Sequence, residues 1–173
     1  MRSTRTAARG VSGDPPDHPR QPGIGWRDTL QRAMAQRPAA ASPLELTRRS
    51  FKAAGSGDYE LMMSFYGRDS VFDMAVWGLG VHSGQARIRT FFEQWIDAFT
   101  EFEMDLEEAR DLGDGVVFAV AMQTARDERR HGSLQLRHAA IIVWERGVAI
   151  RVTDYRDIDA ARALAEQIAK GVT

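Results

Sequence analysis

Two ionisable side chains sit where the sequence pattern is otherwise apolar. Residues 134–157 read LQLRHAAIIVWERGVAIRVTDYRD. Leu134, Leu136, Ala140, Ile142 and Trp144 alternate with Gln135, Arg137 and Glu145, the period of a strand with one buried face. A tight Glu145-Arg146-Gly147 turn follows, and Val148, Ile150 and Val152 continue the alternation. By parity His138 points with the leucines and Asp154 with the valines. A carboxyl on an oily wall loses hydration, so its charged form is disfavoured and its pKa rises. A carboxyl tuned toward neutrality can take an acidic α-proton and return it elsewhere. A neighbouring imidazolium would oppose that rise. The plainer alternatives are that Asp154 bonds backbone or Tyr155 at the strand end, or pairs with Arg156. For His138 the plainer alternative is a satisfied core histidine.

Other chemistries find no support. Cysteine is absent, and the four histidines show no metal-ligand spacing. There is no glycine-rich phosphate loop and no nucleophile elbow. Neither a metal nor a cofactor is expected. His82 follows a glycine-rich turn, where it would contact either a substrate at a cavity mouth or solvent. His18 and His131 fall in polar loops and carry no signal. Phe72, Met74, Trp77, Phe91, Trp95, Phe99 and Trp144 are the large apolar side chains that could line a pocket for a flat ligand. Strand alternation favours Phe72, Met74 and Trp77 for its wall.

The elements that must position these groups are legible. Ser42-Pro43 is a helix start, with Leu44, Thr47, Phe51 and Ala54 on one face. Asp58 caps a short second helix with Leu61, Met62 and Phe65 inward. Residues 71–77 read as a strand, broken by Gly78-Leu79-Gly80 before a short return at Val81-His82-Ser83. Ile88, Phe91, Phe92, Trp95, Ile96 and Phe99 form the aromatic stripe of a third helix. Phe102, Met104 and Leu106 alternate with acids, and Gly113-Asp114-Gly115 is a turn. Residues 116–125 are apolar on both faces. That strand is therefore central, or its outer face is covered, a second subunit being one such cover. Ile158, Ala161, Leu164, Ala165 and Ile168 give a terminal helix. The order implies an α+β domain with helices gathered on one face of a bent, mainly antiparallel sheet, and a conical cavity beside them.

Composition bounds the rest. The 173 residues carry a net charge of −1, which gives no pull toward nucleic acid or an anionic membrane. Arg126, Glu128, Arg129 and Arg130 form a hairpin tip without interleaved aromatics, not a nucleic-acid patch. No apolar run is long enough to span a bilayer, and the arginines near the N-terminus lack the apolar stretch of a secretory signal. Asp14, Pro15, Pro16 and Asp17 interrupt any amphipathic leader, so the expected location is cytoplasmic. Residues 1–42 read as a loosely attached tail, with a short helix possible at Trp26, Leu30 and Met34. Met34 is an alternative start. Residues 43–170 form the domain.

Several motifs in this order resemble the nuclear transport factor 2-like superfamily, and within it the SnoaL-like branch. They are Gly57-Asp58 between the first helices, Arg68-Asp69-Ser70-Val71-Phe72 entering the first strand, His82-Ser83-Gly84 before the aromatic helix, and Asp154-Tyr155-Arg156-Asp157 closing the last strand. The resemblance spans about residues 44–169. It implies a cone-shaped curved antiparallel or mixed sheet enclosing three helices, with a C-terminal helix. Function follows less directly, because the fold hosts many chemistries. In the ketosteroid isomerases of the superfamily, the tyrosine and the two acids match Ser50, Met74 and a position near Ala140, so none is kept. The Arg-x-Asp pair of limonene-type epoxide hydrolases matches Ala121 and Gln123, while their last-strand acid matches Asp154. SnoaL-like polyketide cyclases, with an acid on the last strand and a histidine on the strand before it, match Asp154 and His138.

The expectation is a small cavity protein that binds an apolar or aromatic metabolite. If catalytic, it runs cofactor-free cyclase, isomerase or dehydratase chemistry. Asp154 would shuttle the proton, with His138 and Gln123 as polar orienters. Phe72, Met74, Trp77, His82, Trp95, Phe99 and Trp144 would contact the ligand. The alternative is a non-catalytic ligand-binding or homodimerisation module.

Overall fold

In the computed structural model, which describes residues 41–127 and 132–171, the first helix starts at its cap. The tail, the segment around Trp26, His18, Glu128, Arg129, Arg130 and His131 lie outside the described residues. Helix α1 (Pro43–Gly55) is capped by the Ser42 hydroxyl, which accepts the Glu45 N–H, and Pro43 sits in the first turn where its missing N–H is not needed. Helix α2 (Tyr59–Ser64) is capped in the same way by Asp58, which accepts the Leu61 N–H. Met62, Met63 and Phe65 take its buried face and leave Leu61 38% exposed, against the expected inward Leu61.

Strand β1 (Tyr66–Asp73) begins and ends earlier than the sequence suggests. The Asp73 carboxylate accepts the Ala75 N–H and turns the chain into a 3-10 helix at Ala75–Trp77, closed by Gly78 at φ 76°. Trp77 therefore does not lie on the strand, and the alternation used to aim it does not apply. Strand β2 (Val81–Ser83) returns beside β1 and leads to helix α3 (Gln85–Asp97), with Phe99 beyond its end. The meander follows as β3 (Glu101–Asp111), β4 (Val116–Asp127), β5 (Gly132–Glu145) and β6 (Val148–Tyr155). Helix α4 (Ile158–Ala169), capped by Asp157, completes the fold.

The six strands form one curved sheet in the order β2-β1-β6-β5-β4-β3. β1 runs parallel to β6 and every other pair is antiparallel. Each face has its own core. On one face, Ala53 and Ala54 of α1, Met62 and Met63 of α2, and Ile88 and Phe92 of α3 meet Val117, Ala119, Ala140, Ile142, Trp144, Ala149 and Val152. On the other face, Ala161 and Ala165 of α4 pack on Val116, Phe118, Val120, Ala139 and Ile141. The doubly apolar β4 thus has its outer face covered by the chain's own last helix. No second subunit is needed there.

Two bulges correct the simple alternation. In β6, Trp144 pairs with Ala149 but Val143 pairs with Arg151, so one extra residue is inserted. Ala149, 2% exposed, takes the inner place expected for Val148 and Ile150, and Ile150 is 40% exposed. Alternation resumes at Val152, and Asp154 keeps its expected side. In β3 the register shifts between Leu106 and Glu108. Glu107 and Glu108 therefore both turn outward, where they meet Arg137 and Arg162 respectively. Arg162 holds Glu108 through bonds of 2.6 and 3.0 Å and lies 4.5 Å over the Phe118 ring, which ties α4 to the sheet.

Candidate active-site cavity

The inner face of β4, β5 and β6 carries a polar cluster in an apolar wall. Gln123 pairs with Leu136, Ala121 with His138, and Ala140 with Asp154. The three polar residues are therefore diagonal neighbours on adjacent strands. Gln123, His138 and Asp154 are 3%, 4% and 5% exposed, among the few polar side chains buried anywhere in the described residues. His138 Nε2 lies 3.5 Å from Asp154 Oδ2, a contact at the outer limit of a hydrogen bond.

Burial, and secondarily the nearby Asp73 charge, push the Asp154 carboxyl up to about 8. Burial also lowers His138. The Leu136 backbone counteracts that without forming a hydrogen bond of good geometry to Nδ1. Both shifts favour neutral forms, so near pH 7 the pair is a protonated carboxyl beside a neutral imidazole. A carboxyl in this state can donate a proton, and can take one back when the imidazole accepts from it.

Two buried nitrogens of this cluster, Gln123 Nε2 and His138 Nδ1, have no partner among the described residues. Orphaned groups of this kind are expensive, roughly 1–3 kcal/mol each, unless a ligand or water meets them. By contrast Trp144 Nε1 donates to Thr47 Oγ1 at 2.9 Å, and Thr47 Oγ1 in turn donates to the Pro43 carbonyl. That chain fixes α1 on the sheet and explains why Thr47 is fully buried in the core.

The cluster opens on a cavity walled by Phe72, Met74, Trp95, Trp144, Gln123, His138 and Asp154 among others. Its volume is about 60 Å³. Such a slot holds a few waters or one edge of a flat ring. Anything bulkier requires wall side chains to move. Among the described residues no group of three His, Asp or Glu side chains could hold a metal ion.

Three residues expected at the wall are elsewhere. Trp77, on its 3-10 turn, packs at the edge of the inner core under the Arg156 guanidinium, 4.6 Å from the ring centre. Phe99 lies past the end of α3, edge-on to Trp95. His82 stacks on Phe91 at 4.3 Å, shares its Nε2 with the Leu79 carbonyl, and faces a separate shallow groove. The sequence reading also missed wall residues. Phe51, Phe65, Met104 and Tyr66 line the cavity without a sequence signal that places them there, alongside Phe91, one of the large apolar side chains that could line a pocket. The sequence pattern starts the first strand at residue 71 and so leaves Tyr66 outside it. A register shift against β6 between Tyr66 and Val71 arches residues 67–70 out of the ladder, which hides the strand's true beginning.

A curved mixed sheet that cups three helices around a polar-tipped apolar cavity defines an NTF2-like α+β protein. The chain belongs to the SnoaL-like domain family, whose sequence model matches residues 47–165. No protein among curated sequences matches it significantly. Solved structures of the same fold include TerC co-crystallised with polyporic acid, at 21% identity and TM-score 0.58 over 73% of this chain and 99% of that one. A protein from Xanthomonas campestris pv. campestris, provisionally named a polyketide cyclase, has 20% identity and TM-score 0.55 over 71% and 96%. A Catenulispora acidiphila protein with a ketosteroid isomerase-like fold, in complex with trimethylamine, has 13% identity and TM-score 0.59 over 75% and 98%. At these identities the likeness is one of fold. No helix among the described residues is long and apolar enough to cross a membrane.

Proposed function

We propose that residues 43–170 form a domain that binds a flat apolar metabolite bearing an oxygen function and moves a proton on it. The reaction is of the cyclase, isomerase or dehydratase type and needs no cofactor. Asp154 is the proton shuttle, and His138 and Gln123 orient the ligand. The observation that carries this reading is the Asp154 carboxyl. It is buried at a cavity wall, is 3.5 Å from His138, receives no hydrogen bond from a described residue, and is pushed up to about 8. Acids so placed cluster at functional sites. The small molecule held by TerC, and the cyclase name given to the Xanthomonas protein, support the choice of ligand class.

A thermal-shift screen of planar aromatic ketones and hydroxyquinones would identify ligands. For a hit with an acidic C–H beside its carbonyl, exchange of that proton with deuterated water reads proton transfer directly. Asp154→Asn should slow exchange at least hundredfold while the ligand still binds, since positioned acid–base groups contribute roughly 10²–10⁴-fold. Unchanged exchange would leave only a binding module. A homodimer is the second assembly to test, by light scattering. With the outer face of β4 under α4, such a dimer would have to use another surface.

A further inference from the structure

The phenol of Tyr66 has no role in the fold that a phenyl ring would not fill. Its ring packs edge-on to Phe72 at 6.5 Å and tilted against Phe92 at 6.2 Å. Its side chain lines the same cavity as Asp154, Gln123 and His138. Yet no described residue makes a hydrogen bond to its hydroxyl. Trp77 Nε1 of the same core is also without a partner among the described residues, but two other polar-tipped rings find one. Tyr59 donates to Asp97 at 3.1 Å and Trp144 to Thr47 at 2.9 Å. A largely buried tyrosine normally finds such a partner.

The backbone that carries Tyr66 is held from several sides. The Tyr66 carbonyl accepts from Gln85 Nε2 at 3.0 Å, and the same amide donates to the Met63 carbonyl at 2.9 Å. The Phe65 carbonyl accepts the Ala149 N–H at 2.8 Å. The buried Ser70 hydroxyl accepts the Gly67 N–H and donates to the Ala149 carbonyl. Opposite Tyr66 in the parallel ladder stands Ala149, whose small side chain leaves the ring room. The phenol is thus a rigidly mounted donor, and rigid donors are what stabilise charge developing on a ligand oxygen. Burial raises its pKa, and Asp154 raises it further once ionised, so the hydroxyl keeps its proton across the physiological range.

We propose that Tyr66 is the oxyanion donor of this cavity, binding the oxygen of a carbonyl or enol ligand whose proton Asp154 handles. This rests on the binding reading above. It also narrows the ligand class to compounds whose oxygen gains negative charge during reaction, such as ketones, enones and phenols. A hydrocarbon of the same shape would leave the donor unpaired, and an ether oxygen would accept its hydrogen bond without developing a charge for it to stabilise.

Two probes of matched shape test it: 4-nitrophenol, whose ionisation is visible by absorbance, and nitrobenzene, which has no ionisable oxygen. Binding of both is measured for the wild-type chain and for Tyr66→Phe, which keeps the ring contacts. Tyr66→Phe should weaken binding of the nitrophenolate form about tenfold or more, the usual loss for a hydrogen bond to a charged acceptor. Nitrobenzene should bind within twofold of wild type, which also shows that the cavity has kept its shape. Equal losses for both probes, or no loss for either, would overturn the role of Tyr66 while leaving ligand binding intact. Failure of the wild type to bind either probe would sink the binding reading, and this inference with it.

Discussion

Asp154→Asn should stabilise the protein, and by an amount that grows with pH. In the unfolded chain this carboxyl ionises at its ordinary value of 3.8, but burial moves it up to about 8 in the native state. Between those values the native state holds a proton that the unfolded state has lost. Stability therefore falls as pH rises, by about 1.4 kcal/mol per pH unit. The full contribution is present below pH 3.8 and is gone above about 8. By pH 7 the burden is roughly 4 kcal/mol, a large part of a typical domain's 5–15 kcal/mol. His138 pulls the other way. Its folded pKa lies below the ordinary 6.5, so it adds stability above 6.5 that is lost as pH falls toward the folded value. Over the overlap the two slopes cancel. The wild type should show a flat region up to about 6.5 and then a decline to about 8. Asparagine removes the declining slope, so the variant should gain stability up to about 6.5 and then level off. Urea unfolding followed by tryptophan fluorescence, at half-unit steps between pH 5 and 8.5, reads both curves. Any packing cost of the amide is independent of pH and drops out of the slope. A difference between variant and wild type that does not change with pH would show that Asp154 is ordinarily hydrated, and the acid–base argument would fall.

Other outcomes follow from single contacts. Asp73→Asn removes a charge that raises Asp154, so the Asp154 titration, followed by its carboxyl carbon resonance, should move down; no movement would exclude coupling through the sheet. Thr47→Val strands the Trp144 indole N–H in the core and should cost about 1–3 kcal/mol in denaturant unfolding, whereas a neutral result would mean that water replaces the hydroxyl. Gly115→Ala should prevent the β4–β5 end from closing and lower the melting temperature sharply. Its Cβ would sit 2.2 Å from the Trp144 carbonyl oxygen at φ +79°, and a wild-type melting curve would contradict that geometry.

What the sequence showed and what it hid divide along one physical line. Local signals with a single meaning survive in the structure. Ser42 and Asp58 cap the helices they should, and the strict alternation of residues 134–144 aims His138 and Ala140 at the core. Arg146 and Gly147, at φ 51° and 85°, make the tight turn that the Glu145-Arg146-Gly147 stretch implies. Signals that depend on register did not survive. Nothing in VAIRVTD marks the extra residue that puts Ala149 inward and Ile150 outward, because both orders alternate plausibly. The alternation aims Trp77 inward only if its strand runs on, and one Asp73 side-chain hydrogen bond ends it. Tyr66 carries no strand signal in the sequence because residues 67–70 leave the ladder and return. The doubly apolar β4 signalled a cover but not its source, since α4 lies about thirty residues later in sequence and reaches the sheet only in three dimensions.

Two sheet alanines, Ala140 and Ala149, line the cavity, and the space they leave can be tested. Ala119, Ala121 and Ala140 on the central strands, with Ala149 on β6, are all buried, and Ala119, Ala140 and Ala149 belong to the inner core. Branched residues suit strands better and would fill this space. Small side chains here therefore carry a stability cost that a chain needing only a core would not retain. Ala140 is the most informative of them, because it stands opposite Asp154 in the ladder and lines the slot. Ala140→Val adds two methyl groups toward the cavity of about 60 Å³. If the slot is a ligand site, valine should raise stability by about 0.5–1.5 kcal/mol through added apolar burial. It should also weaken binding of any screened ligand at least tenfold by occupying its place. Gain and loss should appear in the same variant. If valine instead lowers stability by more than about 1 kcal/mol, the space is already filled by close packing, as overpacked cores behave. Asp154 and His138 would then be interior groups without room for a substrate between them.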